Sequence, residues 1–194
     1  MEIDLSNYRI SILCEDIAQY DFIYAYIGLL GVKDKRKVTR LDARNNASVL
    51  KHYPSAVKSH RQRCQENVAL IVMIDADEKT IQERLRDFDE KLDIGKYKLN
   101  QPTRFDSESI VLLVPIRNIE SWFHYIVTNT TDVEVVKDSD GRITDYKSLY
   151  PDSKKKVVTE YAEKLKNEIC INGLPENAPS SLHHACTELS RLKN

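Results

Sequence analysis

The chain has 194 residues, 41% hydrophobic and 30% charged, with only 5 Gly and 6 Pro, which excludes a disordered or linker-dominated protein and allows one sizeable core. No apolar stretch approaches the roughly 20 residues that span a bilayer, and Met1-Glu2-Ile3-Asp4 lacks the basic region of a signal peptide, so the expected setting is cytoplasmic, with no membrane partner. The net charge of −1 conceals a polarised chain, because Lys33 to Arg63 carries ten basic residues against two acids, a local charge of +8. Cys14, Cys64, Cys170 and Cys186 are scattered without a CxxC pair. They read as core thiols of a reducing compartment rather than a disulfide frame or a zinc site.

Tyr8 to Cys14 alternates and then turns apolar, which predicts a first strand. Phe22, Ile23, Tyr26, Ile27 and Leu30 recur at helical spacing, so Asp16 to Leu30 reads as a helix ending at Gly31. Lys37 to Leu41 is a candidate short strand, and Asn46 to about Cys64 a helix that Pro54 should break or kink. Val68 to Ile74 is an unbroken apolar run, the pattern of a central parallel strand. Ile81, Leu85, Phe88 and Leu92 then mark one face of a helix lying on the sheet. Ser109 to Val114 is another buried strand, closed by Pro115, and Ile119, Trp122, Phe123 and Ile126 mark a short helix. Asp140-Gly141 signals a turn. Two helical stripes follow, Val157 to Ile169 opened by Pro151-Asp152-Ser153, and Leu182 to Leu192 opened by Pro179-Ser180. Strand–helix alternation implies an α/β fold with a mostly parallel central sheet and flanking helices. The core is assigned to residues 1–130, and 131–194 to a hairpin or loop and a C-terminal helical extension packed on the same domain.

Three acidic sites fall at the carboxyl ends of three expected strands, where ligands of such sheets bind. Glu15 and Asp16 follow the first, Asp75 and Asp77 follow the central one, and Glu120 lies after Val114. If these strands are neighbours, the carboxylates meet on one rim, an arrangement that suits Mg²⁺ or Mn²⁺ held against a phosphodiester. A strand that merely runs out into a solvated acidic loop would give the same Asp-x-Asp. The basic stretch, with Lys37, Arg40, Arg44, Lys58, Arg61 and Arg63 as its candidate contacts, suits a nucleic-acid backbone. The alternative is a solvated helix balanced by Asp87, Asp89, Glu90 and Asp93.

Cys14-Glu15 after the first strand, Asp75-Ala76-Asp77 after a later one, and Ile119-Glu120-Ser121-Trp122 after Val114 together resemble the TOPRIM family. More narrowly, they are similar to small TOPRIM-like proteins of prokaryotic defence and mobile-element operons, related to the overcoming-lysogenization-defect nucleases. The resemblance covers residues 8 to about 127 and implies a metal-dependent nuclease acting on DNA or RNA, in defence against phage or mobile elements. It implies Glu15, Asp75 and Asp77 as metal ligands and Glu15 or Glu120 in catalysis, while Asp16, a departure from the family pattern, is a candidate further ligand. It also implies a companion ATPase. The family usually has Gly where Asp16 stands, and a degenerate module that binds nucleic acid or a partner is therefore the alternative function.

Other phosphate chemistries fit less well. Haloacid-dehalogenase-like phosphatases place Asp-x-Asp on the first strand and carry Thr or Val where Lys79 stands. A receiver domain would need a strand-end Lys where Val114 leads into Pro115. Adjacent His183 and His184 point about 100° apart on a helix and read as surface and boundary positions. His52, His60 and His124 are isolated and carry no assigned role. Trp122 reads as a core anchor, and Lys154-Lys155-Lys156 as a solvated helix start.

Overall fold

A four-stranded, all-parallel sheet in the order β2-β1-β3-β4 forms the centre of the protein, in a computed structural model that describes residues 3–93, 103–135, 144–150, 155–170 and 173–193. In chain order the elements are β1 (Arg9–Cys14), α1 (Ile17–Leu29), β2 (Val38–Leu41), α2 (Asn46–Gln62), β3 (Val68–Met73), α3 (Ile81–Asp93), β4 (Ile110–Leu113), α4 (Ile119–Thr128), α5 (Tyr146–Leu149), α6 (Lys155–Lys164) and α7 (Ser180–Leu189). The Asp140-Gly141 turn and the Pro151-Asp152-Ser153 start, with Lys154, lie outside the described residues.

Alternation along the strands sorts the core into two layers. Ile10, Ile12, Ile71, Met73, Val111 and Leu113 face one cluster, with Phe22, Ile23 and Ile27 of α1 and Trp122 and Phe123 of α4. Leu13, Leu70, Val72, Ile110 and Leu112 face the other, with Val49, Tyr53 and Val57 of α2 and Phe88 and Leu92 of α3. β3 is buried at all six positions, as a strand covered on both faces must be. Val158, Leu165, Leu182 and Leu189 join the first cluster, so the described C-terminal helices pack on the same core. Trp122 is the expected anchor, fully buried, with its indole N–H donated to Ser181 Oγ at 2.7 Å.

Two local expectations need correction. α2 runs as one helix with Pro54 buried in its interior, so the expected break is absent. Burial of Val49, Tyr53, Ala56 and Val57 along that face outweighs the ~3 kcal/mol that an interior proline costs a helix. The cysteines are not four core thiols. Cys170 and Cys186 form a disulfide with Cα atoms 5.5 Å apart, joining the π-helical turn Leu165–Cys170 after α6 to α7. Cys64 is exposed, and only Cys14 is a buried free thiol, its pKa pushed up to about 12 by burial. Cysteine usage therefore no longer argues for a reducing compartment.

Gly31 closes α1 at φ +101°, where an added Cβ would lie 2.7 Å from Asp4 Oδ1. Only glycine meets both constraints. At the opposite edge, side chains occupy the outer face of β4. Glu188 of α7 accepts the Leu112 N–H at 2.9 Å, His184 Nε2 lies 3.1 Å from Leu112 O, and Arg104 donates to Ile110 O at 2.8 Å. His183 is exposed and His184 half-buried, the surface and boundary positions expected, and His184 also caps the strand edge. Glu188 is also paired with Arg104 and Arg191.

Breaking that network should be costly, because Glu188→Gln leaves Arg104 half-buried without a counter-charge. Urea unfolding should show a loss of about 3 kcal/mol. A loss below about 1 kcal/mol would mean that α7 holds the edge by apolar packing alone.

Candidate metal centre at the sheet rim

Chain exits from β1 and β3 lie side by side, because Cys14 pairs with Met73 in register. Glu15 and Asp75 therefore leave the sheet together, and they are coupled directly. Glu15 Oε1 accepts the Asp75 N–H at 2.6 Å, and Gln19 Nε2 donates to Asp75 Oδ1 at 2.8 Å and to Glu15 Oε1 at 3.4 Å. Gln19 Oε1 in turn accepts the Glu15 N–H at 3.0 Å. Gln19 is fully buried on the same face of α1 as Ile23 and Tyr26. That polar break in an apolar stripe, four residues after Glu15, was the signal available in the sequence.

Asp16 sits at φ −137°, ψ −176°, extended backbone that any residue adopts. The turn thus has no need of glycine, and Asp16 instead caps α1, accepting the Gln19 N–H at 2.9 Å. Beyond β3 and β4 the two loops stay paired, Ala76 N–H to Pro115 O at 2.8 Å and Asp77 N–H to Arg117 O at 3.2 Å. Asp77 and Arg117 both occupy the left-handed region, at φ 55° and 72°. Arg84, 5% exposed, holds the Asp loop from below by donating to Asp75 O at 2.9 Å and Ala76 O at 3.1 Å. Asp77 is close enough for its charge to help raise the Glu15 pKa, but its Oδ2 is engaged by other residues. It hydrogen-bonds Asn46 Nδ2 and lies 3.5 Å from Arg84.

Burial, reinforced by the charge of Glu15, holds the Asp75 carboxyl well above the usual carboxylate range. Burial also raises Glu15, against the lowering effect of its bonds from Asp75 and Gln19, and raises Glu120. Lys147 answers this field. Burial disfavours its charge, but Asp75, Glu120, Asp16 and Glu15 outweigh that and raise its pKa. Its helix α5 reaches the rim because the Tyr146 ring packs at a tilt against His124 of α4 at 5.2 Å and lies under the Arg117 guanidinium at 5.0 Å. Arg117 also donates to Val135 O and Thr144 O. Neither Lys147 nor the Arg117 clamp was visible in sequence spacing.

Two buried oxygens at the rim have no hydrogen-bond donor, Glu120 Oε2 and Asn46 Oδ1. An all-oxygen set with orphaned acceptors has the donor chemistry that a hard divalent cation requires. Among the described residues, however, no three His, Cys, Asp or Glu side chains already converge as a chelating group.

The basic candidates do not form one face. Arg40 lies over the Tyr20 ring at 5.1 Å, near the first strand's exit, and Arg44 and Lys58 are exposed. Lys37 Nζ donates to Ser6 O at 2.6 Å, and Arg63 pairs with Glu66 at 2.8 Å. Arg61 is turned inward, ion-paired with Glu108 at 2.6 Å and placed over Phe105 at 5.6 Å, so it holds the segment before β4.

No family model matches the chain, and no curated protein or solved structure matches it either.

Raised carboxyl pKa values mean that the folded state favours the protonated form. These groups therefore cost nothing below the unfolded value near 4, and they destabilise the fold progressively as pH rises through the folded pKa. Asp75→Asn, which keeps the Gln19 bond and removes the charge, should raise Tm by about 2–4 °C at neutral pH without divalent cation, with little gain near pH 4. An equal or lower Tm at neutral pH would show that the attraction of the Lys147 charge dominates.

Proposed function

We propose that this protein is a TOPRIM-like nuclease that hydrolyses DNA or RNA phosphodiesters with Mg²⁺ or Mn²⁺. The observation that carries the reading is the coupling of Glu15 and Asp75 through Gln19 at the carboxyl rim of a parallel sheet, with Glu120 Oε2 buried and unpartnered beside them. Asp75 and Glu120 would hold the cation, with Asp16 and the Asn46 carbonyl oxygen within the same rim. When bound, the cation supplies Lewis acidity to a phosphoryl oxygen and lowers the pKa of water. Glu15 takes the proton of the attacking water, since its burial makes it a stronger base than an exposed glutamate. Gln19 fixes the geometry of both carboxylates, and Arg84 fixes the loop that presents Asp75. Asn46 and Arg84 both engage Asp77 Oδ2, so Oδ1 is the oxygen Asp77 would offer the cation. A role in defence, beside a companion ATPase that selects the substrate, belongs to the same proposal through the family resemblance.

A second reading is favoured by the engagement of Asp77 with Arg84 and Asn46. In that reading the rim is degenerate and the chain is a binding module for nucleic acid or a partner.

Labelled single- and double-stranded substrates, incubated with Mg²⁺ or Mn²⁺, separate the two. The enzyme predicts cleavage abolished by Asp75→Ala and a micromolar Mn²⁺ titration signal lost with it. Cleavage that persists in Asp75→Ala, or no Mn²⁺ signal in the wild type, removes the nuclease assignment.

A further inference from the structure

At the other end of the same strands lies a cleft of 370 Å³ that the carboxylate rim does not use. α2 covers β1 and β3 on its face of the sheet, and the apolar layer stops short of the amino ends of β1 and β2. Leu13 and Leu41, paired in register, are the last apolar pair. Two residues earlier the pair is Ser11 and Thr39, whose side chains line the cleft floor. Its walls are cationic: Arg9 from β1, Arg36 and Lys37 from the turn before β2, and Arg63 at the end of α2. The opposing lining charge is Asp34, paired with Arg36 at 2.9 Å, while Glu66 outside the lining pairs with Arg63 and lies 3.9 Å from Arg9. Two positive charges are left in excess. α2 also brings its carbonyl end here, a negative partial charge that the four cations outweigh. A smaller recess shares Arg9, Ser11 and Arg63 and adds His60, whose buried Nδ1 has no hydrogen-bond partner.

We propose that this cleft binds phosphate groups, with the backbone of a nucleic acid as their source. Hydroxyls on the floor and guanidinium and ammonium groups on the walls are the donors that phosphate oxygens take. Among the described residues no aromatic ring lines the cleft, so its described lining offers phosphate contacts rather than a stacking platform. Ser11 lies on β1 and Glu15 follows that strand's end, four residues on and at most about 13 Å away. A strand of several nucleotides can therefore occupy the cleft and the rim together. The source of the phosphates rests on the nuclease reading, whereas the chemistry of the cleft does not.

The test omits divalent cation, so that failure of the metal reading leaves it unaffected. Binding of a fluorescein-labelled single-stranded oligonucleotide is followed by anisotropy and binding of pyrophosphate by calorimetry, both in EDTA. Arg9 and Arg36 are 68% and 91% exposed at their side chains, so Arg9→Glu/Arg36→Glu should fold normally, as a matched Tm verifies. Lys51→Glu/Arg86→Glu applies the same change of charge at exposed positions elsewhere. The proposal expects the first pair to weaken both probes about tenfold or more, and the second pair to weaken them about twofold or less. Pyrophosphate binding lost with oligonucleotide binding unchanged keeps the phosphate site and overturns its nucleic-acid source. Equal losses in the two pairs, or no binding of either probe by the wild type, overturn the site.

Discussion

A carboxylate buried at the end of a fully buried strand is the constraint around which this molecule is organised. β3 is covered on both faces, and its exit leaves Asp75 only 3% exposed. A charged group in that position is strongly disfavoured unless its oxygens are bonded and its charge is offset. The surrounding residues bond the carboxylate and its loop, while Glu15 adds to its charge and Lys147 opposes it. Gln19 donates to the carboxylate, Glu15 takes the backbone N–H, and Arg84 takes the carbonyls of Asp75 and Ala76.

The field that results explains features further out. Lys147 is drawn toward four carboxylates, and the short helix that carries it is held by Arg117, a residue in the left-handed region with three separate anchors. Strain and like-charge crowding in one place reduce stability, and natural proteins tolerate such a cost mainly where a site is being held ready. The two ends of β1 are also electrically opposite, with Glu15 and Asp16 at the carboxyl end and Arg9 beside Lys37 and Arg63 at the other. One strand thus links an acidic rim to a basic cleft.

Much of the fold was legible because periodicity reports burial. The six apolar positions of β3 could only be a central strand, and the stripe Ile81, Phe88, Leu92 could only lie on a sheet. Carboxylates at strand ends were legible for the same reason, since strand order then brings Glu15 to Asp75. Pro54 misled because a local rule was overridden by burial of the whole helix face. Cys170 and Cys186 misled because their meeting depends on how α7 folds back, which no spacing encodes. The basic run misled in part, since a charge count cannot tell the inward Arg61, bound to Glu108, from Arg36 at the surface. Gln19 and Lys147 were missed for a related reason. Gln19 shows in the sequence only as a polar break in an apolar stripe, and the role of either residue becomes readable once its partner's position is known.

Paramagnetic broadening by Mn²⁺ in amide correlation spectra tests the central claim, that the buried rim is a cation site, most directly. Substoichiometric Mn²⁺ should first erase the amide signals of Glu15, Gln19, Asp75, Ala76 and Glu120 and leave those of Arg9, Lys37 and Arg63 intact. Broadening confined to exposed acidic positions such as Glu78 or Glu83, with the rim unaffected, would contradict the account.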